Sequence, residues 1–147
     1  MEHILSIGLF VAGCSLAILG VASLWIPKAL DWQSKTAGLT PLMKELWWTY
    51  SVYVWGSHVF FSVMCLSFPD WFLSQTPAAT AMTIFIFLWW AIRLYLQFFG
   101  FDFGEIKGTP FNRVAKHLLS LLFLGLVVLF GGLICWNVGW LGEGWFQ

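Results

Sequence analysis

The chain has 147 residues, 60% of them hydrophobic, 20% aromatic and only 10% charged, and its formal net charge is zero. With a mean hydropathy of +0.82 it is far too apolar for a water-soluble domain, and it is too short for more than one domain. Zero charge and the lack of a basic stripe argue against nucleic acid as a partner.

Four apolar runs, residues 4–26, 46–68, 78–100 and 114–135, each reach the roughly 20 residues needed to cross a bilayer. Short connections between them predict an antiparallel up-down bundle, an all-α membrane protein with four transmembrane helices. One domain, 1–147, would hold helices over about 4–26, 41–68, 77–100 and 110–135 and a tail at 136–147.

The first run reads as a membrane helix rather than a signal peptide, since Met1-Glu2-His3 lacks a basic n-region and the run is too long for an h-region. Small residues line it. Gly13, Ala17 and Gly20 make one seam and Gly8, Ala12 and Ser15 another, the pattern that lets membrane helices approach closely. Pro27 ends the run, and the loop that follows has room for a short interfacial turn around residues 29–32.

The pair Thr-Pro occurs at Thr40-Pro41, Thr76-Pro77 and Thr109-Pro110, each time just before an apolar run. Thr caps the backbone N–H groups of a first turn and Pro suits its first position. Three helix starts follow from that chemistry.

The second helix carries Tyr50, Tyr53 and His58, and Ser51, Trp55, His58, Ser62 and Cys65 share one face at three- and four-residue spacing. A polar stripe of this kind packs against another helix rather than lipid. Trp71 and Phe72 anchor the next loop at the membrane surface.

The third helix ends in Trp89–Asp102, WWAIRLYLQFFGFD, with Arg93 and Gln97 one helical turn apart on one face. An arginine within an apolar run is costly unless it reaches the headgroups or finds a partner, which makes Arg93 the main functional clue. In the fourth run Gly125, Gly132 and Gly139 recur every seven residues and predict another close-packing seam. The tail, WNVGWLGEGWFQ, is placed at the outer interface, where Trp concentrates.

Charge orients the bundle. Lys28, Lys35 and Lys44 lie in or beside the first loop and Lys107, Arg113 and Lys116 in or beside the third, whereas the N-terminus, second loop and tail hold neither Lys nor Arg. The positive-inside rule then puts loops one and three in the cytoplasm and both termini outside, in an inner (cytoplasmic) membrane. Cys14, Cys65 and Cys135 read as three buried thiols with no CxxC spacing. The similar outer depth of Cys65 and Cys135 leaves a disulfide between them open.

No catalytic set is visible, since the apolar runs hold no Asp or Glu, no carboxylate pair and no metal-ligand spacing. Two readings of Arg93 compete. It either snorkels to the headgroups or joins Gln97, Tyr50, Tyr53 and His117 in a polar pocket for a lipid phosphate, an anionic substrate or a quinone oxygen.

His58 and His117 raise the question of haem. Their predicted depths differ by about 13 Å at 1.5 Å per residue, too much for two ligands of one iron. Haem b on separate sites, or a chlorophyll-type pigment on His58, stays open; a hydrogen-bonded core histidine is the simpler reading.

The motif Trp90-x-x-Arg93-Leu94-x-x-Gln97-Phe98-x-x-Phe101-Asp102 resembles a family of small four-helix bacterial integral membrane proteins with no assigned activity. The resemblance runs on to His117, over about the middle two-thirds of the chain. It implies four helices and draws attention to Arg93, Gln97, Asp102 and His117, without supplying a reaction. Small-residue seams, eleven Trp and no catalytic set make the expected role a non-catalytic accessory or scaffold subunit of a larger membrane assembly. Its partners would be the lipid bilayer and other membrane subunits or further copies of itself. The rivals are a quinone-, haem- or pigment-binding redox module and a small transporter or channel. The last would need a wet polar path that the outer half of the third and fourth helices does not offer.

Overall fold

The computed structural model describes residues 1–29, 31–100 and 110–140, and no strand occurs among them. The helices are α1 (Glu2–Ser23), α2 (Ile26–Ala29), α3 (Trp32–Lys35), α4 (Pro41–Ser67), α5 (Pro69–Leu73), α6 (Pro77–Tyr95) and α7 (Pro110–Asn137). α6 passes directly into a π-helical turn, Leu96–Gly100. Two compact units form, one from Met1–Leu9 with Pro69–Gln147 and one from Phe10–Phe68.

Among the described residues, three segments are long and apolar enough to cross a membrane: Glu2–Ser23, Pro77–Phe99 and Val114–Asn137. α4 has the length, at 27 residues. Its composition keeps it out of that set, because Trp, Tyr, Ser and His dilute its Val, Phe and Leu.

The Thr-Pro starts appear as the local chemistry requires. Thr40 Oγ1 accepts from the Met43 N–H at 3.4 Å and Thr76 Oγ1 from the Ala79 N–H at 3.2 Å, with Pro41 and Pro77 in the first turn. α7 likewise begins at Pro110; Thr109 lies outside the described residues. α1 ends at Ser23, three residues before the expected end at 26, where the ladder tightens to Leu24 N→Val21 O and Trp25 N→Ala22 O. Pro27 then sits inside α2 rather than closing α1.

In the unit Phe10–Phe68, α1 and α4 meet at two glycines. A Cβ on Gly13 would stand 2.6 Å from Leu66 Cγ, and one on Gly20 3.8 Å from Val59. Both glycine carbonyls accept side-chain bonds, Gly13 from Ser62 Oγ at 2.8 Å and Gly20 from Trp55 Nε1 at 3.0 Å. The polar stripe of α4 therefore meets α1. The expected seam keeps Gly13 and Gly20 but not Ala17, which is exposed. Trp32 of α3 packs edge-on against Trp47 and Trp48 at 5.4 and 5.9 Å, closing the connection between α1 and α4.

In the other unit, α6 and α7 run antiparallel, with α5 against both. The buried residues of α6 are Ala79, Thr83, Ile86 and Trp90, spaced four, three and four apart. Among the described residues, those of α7 are Phe123, Leu126, Phe130, Leu133 and Asn137, spaced three, four, three and four. This alternation of three and four is the spacing of a closely packed helix seam. It corrects the glycine seam expected for the fourth helix. Gly125 and Gly132 stand two residues, about 200°, from Phe123 and Phe130. A Cβ on Gly125 would meet nothing within 4 Å, and one on Gly132 only Leu5 at 3.9 Å.

Gly139 serves differently. At φ 81° it ends α7, with Trp140 N bonded to Cys135 O and Gly139 N to Trp136 O, the paired closure of a Schellman cap. Trp136 and Asn137 thus belong to the helix, not to the tail; 141–147 lie outside the described residues.

Candidate functional site

The two ends of the α6/α7 pair are built differently. At one end every polar group of the closure is matched. Asn137, buried, donates through Nδ2 to Phe72 O at 3.0 Å and accepts at Oδ1 from Gln75 N at 3.1 Å. Trp136 Nε1 donates to Leu73 O at 3.1 Å, and Gln75 Nε2 to Trp136 O at 3.2 Å. Gln75 itself takes a left-handed conformation, φ 53°, which aims its N–H at Asn137. Phe72 closes on Phe130 beneath this clasp, ring centroids 6.0 Å apart. The sequence reading missed the clasp. Its signal was the seven-residue line Phe123, Phe130, Asn137, which continues a buried face.

The other end holds Arg93 and Gln97. Trp90 packs on Phe123 with centroids 5.3 Å apart, and one turn on the Arg93 guanidinium lies 6.0 Å from the same Phe123 ring. The contact is within cation–π reach, and the guanidinium fork carries N–H groups that suit oxygen acceptors. Arg93 is half-buried, and neither α6 nor α7 contains an Asp or Glu to pair with it.

Gln97 continues the buried line of α6 through the π turn. It is only 4% exposed, and its Nε2 has no hydrogen-bond partner. Such an orphaned donor costs about 1–3 kcal/mol.

The remaining candidates lie elsewhere. His117 is exposed, and so are Tyr50 and Tyr53 at 65% and 72%. His58 is buried in α4. Within the α6/α7 unit, then, Arg93 and Gln97 share the seam and His117 does not. Lys116, half-buried, takes the seam position instead, seven residues before Phe123. Since Gln97 lies seven residues beyond Trp90, equal steps of about 10 Å from the Trp90–Phe123 contact bring Lys116 and Gln97 to one level. Depth placed His117 near Arg93; rotation about the helix axis carries it away.

Asp102 and Glu105 lie outside the described residues. All three cysteines are free thiols. Against protein-family models, curated proteins and solved structures, the chain has no match. The resemblance on the Trp90–Asp102 motif therefore assigns no family.

Proposed function

We propose that the chain is a small polytopic membrane protein, with α1, α4, α6 and its π turn, and α7 crossing the bilayer, both termini outside and the Lys-bearing loops in the cytoplasm. Its role is that of a non-catalytic accessory or scaffold subunit in a larger membrane assembly. One observation carries this reading: at most 33% of the residues in each apolar span are buried within the chain. Large apolar side chains are exposed along these spans, among them Ile4, Phe10, Ile18 and Val21 on α1 and Leu118, Leu121 and Val128 on α7. Lipid and protein neighbours together must cover this surface. A mixed charge distribution with six cationic residues confined to two connections and their edges supports the orientation.

The test is the size of the native particle. Extracted gently from its own membrane, the protein should migrate in a complex well above a detergent-bound 16.8 kDa chain. A monomer under every mild condition contradicts the scaffold role. The redox-module reading rests on Arg93 and Gln97 as donors to a quinone carbonyl. It predicts a quinone or a visible chromophore that co-purifies stoichiometrically, and a spectrum without one, together with no extractable quinone, decides against it.

A further inference from the structure

From the Arg93–Gln97 end of the α6/α7 seam, we infer a binding site for the phosphate of an anionic phospholipid. Both side chains are donors, and the surrounding helices offer them no carboxylate. Arg93, its guanidinium 6.0 Å from the Phe123 ring, presents a planar fork of N–H donors. One turn nearer the helix end, the Gln97 amide is buried with Nε2 unsatisfied. A group bringing several acceptor oxygens and a negative charge satisfies both at once, as phosphate does for Arg with its planar fork.

The level fits a lipid. Gln97 lies about 6 Å closer to the helix end than Arg93 at 1.5 Å per residue, so a phosphate at the edge of the hydrocarbon meets Gln97 directly and Arg93 by extension of its side chain. Exposed Ile92, Leu96 and Leu118 flank the site with apolar surface for acyl chains. The inference rests on α6 and α7 crossing the membrane.

Delipidated protein in mild detergent is titrated with phosphatidylglycerol, phosphatidylcholine or inorganic phosphate, and bound lipid is counted by native mass spectrometry. Both lipids carry the phosphodiester, but the choline of phosphatidylcholine brings a second cation beside Arg93, so one phosphatidylglycerol per chain should bind at least about tenfold more tightly than phosphatidylcholine. Millimolar phosphate should not displace it.

Arg93→Gln, Arg93→Lys and Gln97→Leu should each weaken phosphatidylglycerol binding by about that factor, while His117→Ala leaves it unchanged. Gln97→Leu also removes a buried orphan, so the lipid-free variant should be at least as heat-stable as the parent. Parental affinity in Gln97→Leu overturns the site, and so does equal binding of the two lipids. Full occupancy by phosphate alone overturns the lipid as its source. Extraction of the chain from membranes by alkaline carbonate contradicts the membrane reading beneath it; retention without lipid preference contradicts the headgroup site alone.

Discussion

Two carboxamides on one helix pair set the contrast at the residue scale. Asn137 has both ends of its amide bonded to backbone, whereas Gln97 leaves Nε2 without a partner. Asn137→Leu strands the Phe72 carbonyl and the Gln75 N–H, and it should cost about 1–3 kcal/mol for each group left buried and unpaired. Thermal unfolding in detergent checks this, and an unchanged midpoint contradicts the clasp. Gly139 has a second residue-scale requirement. At φ 81° a Cβ crowds the following carbonyl, so Gly139→Ala should destabilise the end of α7 by about 1 kcal/mol. Gly139→Asn, which tolerates that conformation, should recover part of the loss.

Among the elements, α1 and α7 show what small residues do and do not mean. Gly13 is a true close approach, so Gly13→Ala drives a methyl into Leu66 and should lower stability by about 1–3 kcal/mol. Gly125→Ala meets nothing within 4 Å and should be neutral or slightly stabilising. The pair of variants, compared by thermal unfolding, separates a packing glycine from a spectator.

The physics of legibility follows from these cases. Helix starts at Thr40 and Thr76 were readable because capping depends on three or four consecutive residues. The α1–α4 contact was half readable, since spacing named Gly13 and Gly20 but gave Ala17 the same weight. The packing face of α7 was not readable from its glycines, because a seven-residue repeat names a face without saying which neighbour covers it. Phe123, Phe130 and Asn137 share the same repeat and form the buried line. Arg93 and Gln97 were readable as one face by their spacing of four, but His117 shares their predicted depth and not their direction.

For the whole molecule, the proposal to test is that α4 crosses the bilayer along with the three candidate spans, although it is less apolar than they are. Its stripe of Ser62, Trp55 and His58 explains that difference, since Ser62 and Trp55 spend their polarity on carbonyls of α1 and His58 is buried. Bonding Ser62 and Trp55 to carbonyls of α1 lowers the cost of carrying those two groups into hydrocarbon. The cationic residues Lys28, Lys35 and Lys44 precede α4 or open it, and none follows it before α6. By the positive-inside rule this asymmetry supports the proposal that the two ends of α4 lie on opposite sides. The most direct measurement is labelling of single cysteines in intact cells, with Cys14, Cys65 and Cys135 replaced and a cysteine placed at exposed Ser34 or exposed Asp70. An impermeant thiol reagent should modify Asp70→Cys from outside and reach Ser34→Cys only after the cells are opened. Labelling of both from outside contradicts the crossing of α4, and labelling of Ser34→Cys alone contradicts the orientation.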